Sequence, residues 1–141
     1  MGTRADFYIG RGTDARWLGS VAWDGHPETI LTKHELATAT TREQFEALVD
    51  KRLAHRDDGT RPEQGWPWPW EDSRTTDFSY AFDDGQVFTA CFGYEWMTVT
   101  EALDPERDRA VAGKTSCIFP DMTARKNVTY GPRSGVMILK V

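Results

Sequence analysis

Asp77-Phe78-Ser79-Tyr80-Ala81-Phe82-Asp83-Asp84-Gly85-Gln86-Val87-Phe88-Thr89-Ala90-Cys91-Phe92 is two alternating runs joined by a two-residue turn. Strands alternate side chains between faces, so Phe78, Tyr80 and Phe82 share one side. Asp84-Gly85 is a preferred hairpin turn because both positions tolerate positive φ. That turn sets the register: Phe82 faces Val87, Tyr80 faces Thr89 and Phe78 faces Cys91. Phe88 and Phe92 then lie on the opposite side, beside Ala81, Ser79 and Asp77. Both faces carry rings, and both need a cover.

A second hairpin is expected upstream. Ala5 to Gly10 alternates, with Phe7 and Ile9 on one face and Asp6 and Tyr8 on the other. Arg16 to Trp23 places Trp17, Gly19, Val21 and Trp23 together, and Arg11-Gly12-Thr13-Asp14 between the runs is turn chemistry. Between the hairpins, Pro27 to Ala37 reads as one or two helical turns with Ile30, Leu31 and His34 on one side. Thr40 and Glu43 have capping-box spacing, and Phe45, Leu48, Val49 and Leu53 form an apolar stripe, so the main helix is expected over about 41–56. Gly59 is its expected stop. Residues 61–74 are a Trp/Pro-rich loop, Gly65-Trp66-Pro67-Trp68-Pro69-Trp70, in which proline forbids a helix or an inner strand. Glu95 to Thr100, Thr115 to Phe119 and Val136 to Val141 read as further strands.

These elements make an α+β domain. Its sheet is mostly antiparallel, built from hairpins at about 5–22 and 77–92 plus C-terminal strands, with the main helix packed on it. Hairpin linkers exclude a doubly wound parallel sheet. A chain of 141 residues fits a single domain, 1–141, and can bury about two-thirds of its unfolded surface.

The net charge is −5, which argues against a general nucleic-acid binder. It is unevenly spread: residues 1–102 carry 10 basic and 18 acidic side chains, and residues 103–141 carry 7 and 4. The basic C-terminal segment therefore reads as a strand pair that lies on the acidic body or as an arm for another surface. Cys91 and Cys117 are expected to be buried free thiols; one disulfide is the alternative, which nothing in the sequence requires. The polar N-terminus and the lack of a long apolar run point to a cytoplasmic protein without a membrane contact.

Gly2-Thr3-Arg4-Ala5-Asp6-Phe7-Tyr8-Ile9-Gly10-Arg11-Gly12, Trp17-Leu18-Gly19-Ser20-Val21-Ala22-Trp23-Asp24-Gly25 and Arg74-Thr75-Thr76-Asp77-Phe78-Ser79-Tyr80 resemble a family of short proteins from bacteriophages and prophages of actinobacteria and proteobacteria. The similarity covers roughly the first two-thirds of the chain. It implies a genomic setting and no particular reaction.

The motifs point away from catalysis. Gly10-Arg11-Gly12 lacks the third glycine of a dinucleotide loop and is read as a turn. His26, His34 and His55 are scattered, and His34-Glu35 has no second histidine four residues on, so neither a metal nor a cofactor is expected. Asp57-Asp58, Glu71-Asp72 and Asp83-Asp84 sit at turns, where acids favour water and amides. Cys91 beside Phe78 and Tyr80 is too apolar to be a nucleophile for His34 or His55. What remains is the aromatic loop. Trp66, Trp68 and Trp70, with Phe88 and Phe92, are the candidate protein-binding residues, unless the tryptophans only cover the second face of the sheet. The leading expectation is a phage or prophage accessory protein that binds another protein, for example to inhibit a host defence. The alternatives are a virion assembly protein docking through its C-terminal segment, with homo-oligomers, and a small hydrolase or nuclease whose site sequence does not reveal.

Overall fold

The computed structural model describes residues 2–12, 14–33 and 35–103, with only the backbone of Thr32 and Lys33. The strands expected at 115–119 and 136–141, and the arm after Leu103, lie outside the described residues.

The architecture is α+β. Six strands, β1 (Ala5–Ile9), β2 (Arg16–Val21), β3 (Gly59–Thr60), β4 (Phe78–Asp83), β5 (Gln86–Cys91) and β6 (Met97–Thr98), form one sheet in the order β3-β2-β1-β4-β5-β6. Every neighbouring pair is antiparallel except β1 and β4, which run parallel at the centre. The long connection between the hairpins makes this central pairing available, since parallel strands need a crossover. The second hairpin has the expected register, with Phe82 opposite Val87, Tyr80 opposite Thr89 and Phe78 opposite Cys91. Asp84 and Gly85 both have positive φ, 52° and 77°, as its turn requires.

The first hairpin departs from simple alternation. Phe7 pairs with Gly19 but Tyr8 pairs with Trp17, so Leu18 is the extra residue of a bulge. Trp17 therefore turns to the side of Tyr8, away from Val21. Gly19 makes this geometry feasible: its φ is +143°, and a Cβ there would collide with Leu53 and the Thr60 carbonyl.

One face of the sheet carries Ala5, Phe7, Val21, Phe78, Tyr80, Phe82 and Val87 into the main core. Over it lies α1 (Arg42–Ala54), which buries Phe45, Val49 and Leu53, as the apolar stripe predicts. Phe45 meets Phe82 with ring centroids 5.8 Å apart. The cap is one residue later than the sequence pattern indicates. Thr41, not Thr40, accepts from the Gln44 amide, and Gln44 Oε1 returns to Thr40 N at 2.7 Å. Gln44 takes the role expected of Glu43 because the helix starts at Arg42. The helix ends at Ala54, before Gly59. Ahead of it, a π-helical turn (Glu28–Lys33) and a 3-10 turn (Leu36–Thr38) bury Ile30, Leu31 and Leu36 in the same core. The expected strand at 95–100 shortens to β6 and passes directly into α2 (Val99–Leu103).

Candidate functional site

The second face of the sheet holds Asp6, Tyr8, Trp17, Ser20 and Ala81, all buried, and the Trp/Pro loop covers it. Asp6 and Ser20 are paired across β1 and β2, while Tyr8 is flanked by Trp17 and Ala81. Strand alternation thus places a carboxylate and a phenol under the loop.

The hydrogen bonds run in one direction. Ser20 Oγ donates to Asp6 Oδ1 at 2.5 Å and itself accepts from Trp17 Nε1 at 3.1 Å. Ser73 Oγ donates to Asp6 Oδ2 at 2.6 Å. A hydroxyl has one proton, so Tyr8, 2.5 Å from Ser73 Oγ, must be the donor of that pair. Trp68 Nε1 donates directly to Asp6 Oδ1 at 2.6 Å. Two donor chains and one indole thus end on a single carboxylate.

Among the described residues no cation shares this network, and Asp6 is fully buried. Burial lifts its carboxyl above the ordinary 3.8, against the opposing pull of hydrogen bonds from Ser20, Ser73, Trp68 and Thr76. Burial likewise raises the Tyr8 phenol well above its ordinary range, with the nearby Asp6 charge adding to it. Sealed from solvent, the network holds the loop down; it offers no group to a substrate.

The candidate residues divide as follows. Trp66, Trp68 and Trp70 are each half-buried. Trp66 meets Trp17 edge-on at 5.1 Å and donates its N–H to the Trp70 carbonyl; Trp70 donates its own to Thr76 Oγ1 at 2.8 Å. All three indole N–H groups therefore bond inward. Phe88 is buried, with the Arg11 guanidinium 3.8 Å over its ring. Phe92 is half-buried at the end of β5 with φ +49°.

The outer side of the loop is different. Trp68 and Trp70 stack at 5.4 Å and 15°, and Arg4 lies over both rings at 5.8 and 5.7 Å. Two residues before Arg4, Gly2 leaves its side-chain space to the ring of Trp23. Trp23 is 55% exposed, the one large apolar side chain among the described residues that is open to solvent. The segment from Gly2 to Arg4 thus has the Trp23 ring at one end and the Trp68 and Trp70 pair at the other, a strip in which the Arg4 guanidinium lies on the paired rings. Sequence reading missed Trp23 and Arg4 as parts of it.

Other candidates do not converge. His26 packs edge-on against Phe78, His55 bonds the Lys51 carbonyl, and His34 lies outside the described residues. Cys91 is disulfide-bonded, which corrects the expectation of a free thiol and removes it as a nucleophile; Cys117 lies outside the described residues. Disulfides are rare in a reducing cytoplasm, so the bond bears on the expected compartment too. One acid of each expected solvated pair is tied to arginine: Asp58 to Arg56, Asp72 to Arg74 and Asp83 to Arg11. Among the described residues no group of three or more His, Cys, Asp and Glu could hold a metal ion, and no helix is long and apolar enough to cross a membrane.

Comparison with known proteins matches no family model, no curated protein and no solved structure.

Proposed function

We propose that the protein works by binding a protein partner through the strip of Trp23, Arg4, Trp68 and Trp70. The supporting observation is that the ring positions are fixed from below: Trp68 and Trp70 spend their N–H groups on Asp6 and Thr76 while one side of the stacked pair carries Arg4. Tryptophan and arginine dominate binding hot spots, and a surface already held in place loses little entropy on docking. In the phage or prophage setting that the resemblance implies, the partner is a host protein such as a defence component.

The test is capture from host lysate by the full chain, side by side with Trp23→Ser and Arg4→Glu. Both side chains are substantially exposed, so Trp23→Ser should melt close to the wild type and Arg4→Glu, which sets a second acid beside Asp77, slightly below it. The expected result is one stoichiometric partner that the wild type retains and both variants lose. Stoichiometric capture that neither substitution weakens would remove the strip as the binding surface. No stoichiometric capture by the wild type would remove the reading itself.

A further inference from the structure

At the end of the sheet where both hairpins turn, a cleft of about 610 Å³ opens between the two turns and the start of α1. That volume lies within the roughly 300–1,000 Å³ typical of small-ligand sites. Ile9 and Phe82 contribute apolar wall, and three arginines line the cleft from three places: Arg11 in the first turn, Arg16 opening β2 and Arg42 opening α1.

The three arginines are not equivalent. Arg11 is fixed by its bond to Asp83 at 2.9 Å and by the Phe88 ring beneath it. Arg16 is bonded to Glu46 of α1. Arg42 is exposed and has no ion-pair or hydrogen-bond partner among the described residues. It is also the first residue of α1, where the helix dipole disfavours a cation. Its guanidinium is thereby left available to a ligand in the cleft.

The two turns also carry acids to the cleft. Asp14 and Asp84 are exposed there, without bonding partners among the described residues. They would repel a polyanion and accept from hydroxyl groups. The cleft thus joins a guanidinium fork, which matches an oxyanion in two-point contact, to acceptors and a short apolar wall. We propose that it binds a small acidic polyol, a sugar phosphate or a sugar acid. Arg42 and Arg16 hold the oxyanion, Asp14 and Asp84 take the hydroxyls, and Ile9 and Phe82 pack against the carbon skeleton.

Titration of the full chain with glucose 6-phosphate, glucuronate, inorganic phosphate and glucose, followed through the amide signals of Gly10, Gly12 and Gly85, tests this. One or both acids should move the three signals saturably, and the tighter one tells phosphate from carboxylate. Glucose and inorganic phosphate should each bind at least about tenfold more weakly, since each offers half of the recognised groups. Arg42→Ala should weaken the acid about tenfold or more, the scale of one charged hydrogen bond, with the melting temperature unchanged or raised. Three results would overturn the proposal: no saturable movement with either acid, inorganic phosphate binding as well as the sugar phosphate, or undiminished affinity in Arg42→Ala.

Discussion

Tyr8 donates to Ser73, and Ser73 donates to Asp6, so one ionised carboxylate at the end of the chain sets the direction of these bonds. Asp6→Asn keeps the acceptor for Ser20 and Trp68 but puts an amide N–H₂ toward Ser73. Ser73 then accepts from residue 6, and one hydroxyl proton, its own or that of Tyr8, is left without an acceptor in a buried place. An unsatisfied buried donor costs about 1–3 kcal/mol. Asp6→Asn should therefore destabilise by about that much, and Tyr8→Phe, which only removes the donor at the head of the chain, by about 1 kcal/mol, the value of one ordinary hydrogen bond. Urea unfolding of the wild type and the two variants measures that order; an Asp6→Asn loss smaller than that of Tyr8→Phe would mean that the donor chain does not end on the carboxylate as described. The same carboxylate gives a pH dependence. Its folded pKa is raised above the unfolded 3.8, so the native state binds more protons than the unfolded one between those values. The Asp6 contribution to stability is thus greatest below about 3.8, declines as pH rises toward the folded value, and is flat above it. The difference in unfolding free energy between wild type and Asp6→Asn, followed from pH 3 upward, should show this decline. Sequence alternation placed Asp6 opposite Phe7, but its partners Trp68 and Ser73 are 62 and 67 residues away, beyond the reach of any local pattern. The oxidised state of Cys91 was hidden for a similar reason, since a cysteine in an apolar strand reads alike with or without a bond.

Elements whose geometry is set by their own residues were legible. Asp84-Gly85 determines a turn, the turn determines the register, and the register places each ring of β4 and β5. The start of β2 was not legible, because a bulge adds a residue without changing the composition around it. Gly19 was the available signal, a glycine inside a strand pattern. Gly19→Ala would put a methyl group onto Leu53 and the Thr60 carbonyl at a φ of +143°. We expect it to destabilise by about 2–3 kcal/mol or more, from backbone strain and collision together, in chemical denaturation. The helix start shows how narrow the sequence margin is. Two adjacent threonines and a choice between Glu43 and Gln44 give two capping boxes one residue apart, and the structure uses Thr41 with Gln44. Thr41→Ala should then cost about 1 kcal/mol in thermal or urea unfolding, with Glu43→Ala costing clearly less. Equal losses would favour the earlier cap.

At the scale of the molecule, a six-stranded sheet needs cover on both sides, and one helix supplies it on only one. The Trp/Pro loop supplies the other, with only short 3-10 turns at Pro62–Gln64 and Ser73–Thr75. Three indoles provide area, two prolines bring no backbone N–H of their own, and the indole N–H groups bond to Asp6, Thr76 and the Trp70 carbonyl so that few polar atoms are left unpaired in the layer. Composition announced the loop, and alternation announced a face in need of cover; the pairing of the two could be read, whereas the open strip on the outer side could not. Trp23 and Trp68 come from segments some forty-five residues apart, and only the fold brings them to the same N-terminal segment, Trp23 at Gly2 and Trp68 at Arg4. The loop thus has two jobs that can be separated by experiment. Replacing residues 65–70 with a Gly/Ser segment of equal length keeps the connection but removes all three rings. A loop that served only as a binding surface would leave stability almost unchanged. Because these rings seal Asp6, Tyr8 and Trp17, we expect instead a loss of several kcal/mol, on the order of burying two or more aromatic side chains, together with new binding of a hydrophobic dye to the uncovered face. Trp23→Ser, at the exposed end of the strip, should show neither change. A loop replacement that unfolds cooperatively at the wild-type midpoint would mean that the second face is held by something else.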